Sequence, residues 1–332
     1  MTEKKVDVFG VGNALVDILA MVDDDFLTKH KLDKGGMSLF DSVAQAALLH
    51  DLEGESLEMK SGGSAANTMI AIAQSGGSGF YTGKVTCDPN GEFYRQDMIE
   101  SGIRFDVNAA PEASIPTGTS LILTTPDAER TMCTHLGVSV ELPPSDINLD
   151  HLDQCKYCYV EGYLWDPELP RRTSIDVMEK AKQKGVKVSF TFSDPFLVGR
   201  YGDDFRRITS EYCDAVFCNA DEARQFCETE SLDEAAEKIG GMVELAFLTD
   251  GANGCRVVQS GKTTHVPGFK VKAIDTVGAG DAFAGGVLFG LTNGYTAEQA
   301  AKWGNYLASR VVTIHGARLE GSMKSELKEV LS

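Results

Sequence analysis

Asp275-Thr-Val-Gly278-Ala279-Gly280-Asp281-Ala-Phe-Ala-Gly-Gly286 leads into the longest largely apolar run of the chain, Ala282 to Leu291. Small residues at 278, 279 and 280 let the backbone approach an anion closely. The apolar helix expected to follow puts free N–H groups, and roughly half a positive charge, at its start. Asp281 falls in the first turn, beside that anion site. A carboxylate placed there can take a proton from an attacking hydroxyl. The same residues would also suit a helix N-terminus packed tightly through glycines, so this stretch alone leaves both uses open.

Upstream, β-rich runs alternate with helical ones. Val6 to Gly12, Phe80 to Val85, Cys155 to Val160, Val186 to Phe192, Ala215 to Cys218 and Leu245 to Leu248 read as strands. Ser64 to Ser75, Pro89 to Gly102, Leu169 to Lys184, Ala220 to Cys227 and Leu232 to Ile239 read as helices, followed by two long ones, 279–293 and 297–314. Such alternation predicts a mainly parallel sheet between two helix layers. Leu15 to Val22, Gly36 to Phe40, and a hairpin of Thr117 to Thr124 with Arg130 to Leu136 break the rhythm. They predict a small separate sheet, built from about 14–40 and 115–137, inserted into one domain spanning 1–332.

Composition narrows the partners. Lys+Arg number 31 against 49 Asp+Glu, a formal charge of −18 over 332 residues. Nucleic acid and anionic membrane surfaces, which are bound by clustered cations, are not expected partners. A small anion in a local positive pocket is compatible with this balance. The N-terminus lacks a basic and then apolar leader, no apolar run reaches membrane-span length, and the eight cysteines are scattered. A cytoplasmic protein with reduced thiols is expected. Cys155-Lys-Tyr-Cys158 has no second pair and falls in a strand, so half-buried small side chains are expected there rather than a metal or redox site.

Several familiar motifs fail on inspection. Ser260-Gly-Lys-Thr263 ends like a P-loop, but Arg256 stands where its first Gly belongs. Gly10-Val-Gly12 has Leu15 in place of a third fingerprint glycine.

The Asp275–Gly286 stretch resembles the C-terminal signature of the PfkB (ribokinase-like) carbohydrate kinases. Ser61-Gly62-Gly63-Ser64-Ala65-Ala66-Asn67 is similar to that family's N-terminal signature, Asn219-Ala-Asp-Glu222 to its Asn-x-x-Glu motif, and Thr249-Asp-Gly251-Ala-Asn-Gly254 to its nucleotide-binding turn. All four stand in family order over nearly the whole chain. The resemblance implies an α/β ribokinase-like fold, with a mainly parallel central sheet between helices and a small β-sheet lid. It also implies transfer of the ATP γ-phosphoryl group to a hydroxymethyl group. Asp281 would be the base, and the N–H groups around Gly278, Ala279 and Gly280 the anion hole. Asn219, Thr249 and Gly251 would serve the nucleotide, and Glu222 would help place Mg²⁺. Arg130 on the lid would close over the transferring phosphate. Asp275 would hold a monovalent cation such as K⁺, or else cap its own turn.

The acceptor is expected to meet Asn13, Asp17, the Gly63 N–H and Asn67, a set suited to a vicinal diol. The Gly12-Asn13-Ala-Leu15-Val-Asp17-Ile loop, Pro116-Thr-Gly-Thr119 and Arg130-Thr-Met look closer to the adenosine-kinase branch than to ribokinase. Leu15, Leu39 and Leu164, with Tyr163 and Trp165, are candidate apolar walls for a purine. The chain departs from animal members of that branch in Tyr163-Leu-Trp165 and in Ser-Ala-Ala before Asn67. The expected reaction is ATP-dependent phosphorylation of the 5′-hydroxyl of a purine ribonucleoside such as adenosine, by a monomer or homodimer. A kinase for a free ketose or pentose, and an inactive nucleotide- or sugar-sensing module, stand as alternatives.

Overall fold

Val6–Val11 is buried at every position, as a strand covered on both faces must be. Even Asp7 is enclosed, its carboxylate 2.9 Å from Lys156 Nζ. In the computed structural model, which describes residues 4–112, 115–127 and 129–332, this strand lies near one edge of an eight-stranded sheet. The order across that sheet is Lys262–Val266, Cys255–Gln259, Leu245–Thr249, Ala215–Asn219, Lys187–Thr191, Cys155–Glu161, Val6–Val11 and Gly79–Thr82. The last six are parallel, and the Cys255–Gln259 hairpin continues the sheet antiparallel. Helices Ser64–Gln74, Ala279–Thr292 and Ala297–Val311 cover one face. Glu168–Gln183, Pro195–Glu211, Ala220–Cys227 and Leu232–Gly240 cover the other. The fold is therefore the α/β ribokinase-like one expected.

The second sheet has five strands, in the order Met37–Leu39, Arg130–His135, Gly118–Thr124, Leu15–Met21 and Glu58–Gly62. Alternation along each strand divides its side chains. Leu15, Asp17, Ser120, Ile122, Met132 and Thr134 face the large domain across a cleft. Val16, Ile18, Leu121, Leu123 and Cys133 are buried on the other side, where Gln45 of helix Ser42–Asp51 donates to the carbonyls of Thr119 and Cys133. Glu58–Gly62 and helix Ser42–Asp51 lie outside the ranges expected for this insertion. Polar, mostly exposed Glu58-Met-Lys60 does not announce a strand, because an edge strand needs little apolar pattern. Helix Pro195–Glu211 was also illegible; it carries Gly199 and Gly202 and kinks at Tyr201, whose φ is −121°. Among the described residues no helix is long and apolar enough to cross a membrane.

Helix Ala279–Thr292 is placed by small residues on two sides. Gly285 sits against Ala71 and the Thr68 carbonyl of helix Ser64–Gln74, and Gly286 against Gly304 of helix Ala297–Val311. A Cβ on Gly304 would fall 2.7 Å from the Phe283 carbonyl oxygen and 3.0 Å from Val287 Cγ2. Backbone cannot yield there as a flexible side chain would. Gly304→Val should therefore cost about 1–3 kcal/mol of stability through overpacking. Chemical denaturation checks this, and an unchanged midpoint would show that the helices can separate without cost.

Candidate active site

The order of the large sheet reverses at Val6–Val11. The chain goes from it to Gly79–Thr82 on one side, and the remaining strands build outward from Cys155–Glu161 on the other. Helices leaving in opposite directions open a crevice beyond the carboxyl ends of the strands at such a point. Asn13, just past one strand, and Glu161, the last residue of the other, meet there. The five-stranded sheet roofs the crevice and leaves a cavity of about 460 Å³.

Asp281 lies on the cavity floor, in the first turn of helix Ala279–Thr292. Its Oδ1 accepts from Ser64 Oγ at 2.6 Å and its Oδ2 from Asn67 Nδ2 at 3.2 Å. Both donors stand on helix Ser64–Gln74, which packs across the Asp281 helix. Burial pushes the carboxyl up to about 6, although both hydrogen bonds pull it down. A carboxylate of that basicity is ionised yet proton-hungry near neutral pH. Gly278 precedes it with φ +75° and no side-chain cap. Its missing Cβ would stand 2.4 Å from the Ala317 carbonyl oxygen, so this turn needs glycine, whereas a Cβ on Gly280 would meet open space. The Ala279 N–H donates to the Thr276 carbonyl at 3.3 Å and Ala279 does not line the cavity, so of the expected anion-hole residues it is the one not presented; the Gly280 and Asp281 N–H groups have no intrahelical acceptor.

Asp17 stands across the cleft, above Gly62, where a Cβ would fall 2.2 Å from its Oδ1. Among the described residues no hydrogen-bond donor reaches this carboxylate. Burial raises it to about 7, against the nearby charges of Arg318 and Arg130. Arg318 is held beneath the lid strand by Asp97 Oδ2 at 3.2 Å and Ser61 Oγ at 3.1 Å. Asn13 donates to Glu161 Oε1 through its backbone N at 2.7 Å and its side-chain Nδ2 at 3.0 Å. The Oδ1 atoms of Asn13 and Asn67 are buried without a partner among the described residues. Gly63, also on the cleft, adopts φ +98° at the N-terminus of helix Ser64–Gln74. The structure thus brings Asn13, Asp17, Gly63, Asn67 and Asp281 together.

On the nucleotide side, Thr249, Asn219 and Glu222 line the same cavity. Asn219 caps helix Ala220–Cys227 and exchanges hydrogen bonds with Glu222 in a capping box. Glu222 is buried, and that burial lifts its carboxyl to about 7. Among the described residues no group of three or more ligating side chains could cage a metal ion. This donor set fits Mg²⁺, which keeps several waters and is bound largely through phosphates. Gly251 lies in an exposed turn outside the cavity. Arg130 reaches from the lid to Asp275, Nη2 to Oδ2 at 2.9 Å, and its Nε and Nη1 are buried and unpartnered among the described residues. Asp275 also accepts from the N–H groups of Val277 and Gly316. A carboxylate surrounded by positive donors does not fit a monovalent cation, so the expected cation role has no support in this arrangement.

The apolar walls separate into two groups. Leu15 and Leu39 line the cavity, joined by Met37, Ile122, Met132 and Leu136. Leu164 does not; it is fully buried in the core with Trp165. The reason is local, because Cys155–Glu161 passes into a 3₁₀ turn at Gly162–Trp165. That turn points Leu164 and Trp165 inward, where Trp165 meets Phe190 and Phe205 edge-on. Only Tyr163 of the three faces the cavity. Glu161 and Ser64 escaped the sequence reading. A signal for Glu161 existed, since an acidic residue ending an otherwise buried strand of an α/β sheet sits where ligands bind.

Residues 40–323 match the model of the pfkB family of carbohydrate kinases. A solved adenosine kinase from Sinorhizobium meliloti is 37% identical with a TM-score of 0.89, covering 98% of this chain and 99% of that one. A probable sugar kinase from Rhizobium etli is 35% identical, also with a TM-score of 0.89, covering 98% of each chain. Adenosine kinase 2 of Arabidopsis thaliana is 28% identical over 93% of this chain and 94% of its own.

The raised Asp17 carboxyl bears on stability. In the folded chain it holds its proton up to about 7, against an ordinary value of 3.8. Between those values the folded state binds more protons than the unfolded one, so stability falls as pH rises through this window. Asp17→Asn removes that loss. Its thermal midpoint should exceed the parent's by a margin that widens from about pH 5 to about pH 8. A margin independent of pH would refute a strained carboxylate at this position.

Proposed function

The chain belongs to the pfkB family of carbohydrate kinases, a phosphotransferase with an alcohol acceptor, and on that premise we propose that it phosphorylates the 5′-hydroxyl of a purine ribonucleoside, adenosine foremost, from ATP. The observation that carries this reading is the lid face of the cavity. There the Asp17 carboxylate, unpaired among the described residues, is set among Leu15, Leu39, Ile122, Met132 and Leu136. A diol-binding carboxylate framed by an apolar slot suits a sugar bearing a flat apolar base better than a sugar alone. The relation to adenosine kinases supports the same choice.

The reaction follows from the arrangement. Asp17, Asn13 and Asn67 hold the sugar hydroxyls, leaving the 5′-hydroxyl near Asp281. Asp281 takes its proton as the hydroxyl oxygen attacks the γ-phosphorus. The bond from that phosphorus to the β–γ bridging oxygen breaks, and its electron pair leaves with ADP. The N–H groups of Gly280 and Asp281, at the start of helix Ala279–Thr292, face the charge on the transferring group. The Nε and Nη1 of Arg130, unpartnered among the described residues, would supply two further donors from the lid. Mg²⁺, when bound beside Asn219 and Glu222, neutralises phosphate charge.

Asp281→Asn keeps the shape and both neighbours but removes the base. Turnover should fall by about 10²–10⁴ while nucleotide affinity holds, as steady-state kinetics with calorimetry would measure. A variant with near-parental kcat would refute the assignment.

The acceptor is tested by comparing adenosine, ribose and fructose at fixed Mg-ATP. A buried purine contributes several kcal/mol, and each 1.4 kcal/mol is about tenfold, so adenosine should lead ribose by at least about a hundredfold in kcat/KM. Comparable efficiencies, or turnover of the free sugars alone, would replace the nucleoside with a sugar acceptor.

A further inference from the structure

We propose that Glu161 is a positioning residue that locks the Asn13 amide with its oxygen toward the cleft, so that the acceptor must offer it a hydroxyl donor. Glu161 is 1% exposed. Its Oε1 takes two hydrogen bonds from Asn13, at 2.7 and 3.0 Å, and its Oε2 one from the Ala65 backbone N at 2.6 Å. Both Glu161 oxygens are engaged by backbone N–H groups, which only donate, so the Asn13 side chain can turn only its NH₂ toward Oε1. The Oδ1 is thereby committed to the other side, where it is buried and unpartnered among the described residues. An unsatisfied buried acceptor is costly until a ligand donates to it.

Asp281 does the same to Asn67. It accepts from Nδ2 and leaves Oδ1 without a partner among the described residues. Two carboxylates therefore set the orientation of two amides. With Asp17 the acceptor side of the cleft presents three hydrogen-bond acceptors. Only a ligand bringing several donors completes it, and neutral hydroxyls are that chemistry; a carboxylate or phosphate group there would face acceptors. Glu161 also ties the loop after Val6–Val11 to the start of helix Ser64–Gln74, whose Ser64 and Asn67 hold Asp281. It has little room to shift, because a Cβ on Gly12 would already stand 2.7 Å from its Oε2.

This inference rests on a kinase with an alcohol acceptor and not on the purine. In Glu161→Gln one carboxylate oxygen becomes an NH₂, which must face either Asn13 or Ala65 donors. Toward Asn13 it opposes both the backbone N–H and the side-chain NH₂, and the side-chain part of that clash is relieved when the Asn13 amide turns over and presents NH₂ to the cleft. The variant would be compared with the parent on adenosine, 2′-deoxyadenosine and 3′-deoxyadenosine at saturating Mg-ATP. KM for adenosine should rise about 10- to 100-fold, as expected for one mispaired buried polar contact. The kcat and the KM for ATP should change little. The penalty for the more damaging deoxy analogue should shrink by a similar factor, a change that general loosening would not produce. A folded variant with parental KM and parental deoxy penalty would overturn the proposal. Should Glu161→Gln not fold, Asn13→Ala must by itself erase the deoxy penalty, and a penalty retained in it would equally overturn the proposal. If the parent ignores nucleosides, the purine reading fails separately, and the same comparison runs on ribose against 2-deoxyribose.

Discussion

The crossing of two helices decides where the chemistry can happen. Helix Ala279–Thr292 lies on helix Ser64–Gln74 through Gly285, Ala71 and the Thr68 backbone. At that separation, Ser64 and Asn67 at the start of one helix reach Asp281 at the start of the other. Both N-termini then open toward the same space at the reversal of strand order. The anion turn, the base and one of the two acceptor amides are consequences of a single packing distance. A methyl group inserted at the crossing would move all of them together.

Charge in the cleft follows a different logic. Asp17, Glu161, Glu222 and Asp281 are each lifted to about 6 or 7 by burial. Of these, Asp17 feels the charges of Arg318, held by Asp97 and Ser61, and of Arg130 on the lid. Carboxylates gathered this way weaken the fold, and such clusters persist where function requires them. Much of the stability that offsets them lies elsewhere, in the two apolar layers against the large sheet.

The six parallel strands, most of the covering helices and the glycine turn were legible because each has a local cause, whereas the antiparallel Cys255–Gln259 and Lys262–Val266 strands and helix Pro195–Glu211 were not read. Buried strands read as apolar runs, and Gly278 stands where only glycine fits the turn. Asp281, Asn67 and Asp17 were found because they lie inside recognisable stretches. What escaped depends on contacts between distant segments. Glu161 matters through Asn13, 148 positions away. Arg318 acts on Ser61 from 257 positions off. Leu164 was misplaced because a 3₁₀ turn, invisible in the apolar pattern, rotated it into the core. Asp275 was offered a cation role because its pairing with Arg130 joins lid and body, which no local spacing records.

The lid differs from the body in how its side chains are anchored. Leu15, Met37, Leu39, Ile122 and Met132 reach the cleft from strands of a sheet that carries neither Asp281 nor the anion turn. Leu39 and Met37 are 57% and 48% exposed. Replacing one of them alters the shape presented to an acceptor while leaving the helix crossing untouched. Descendants of this chain can therefore drift among alcohol acceptors by small steps on one sheet, each step still a working phosphotransferase. That separation gives a physical reason why proteins of similar fold can carry the names of both nucleoside and sugar kinases.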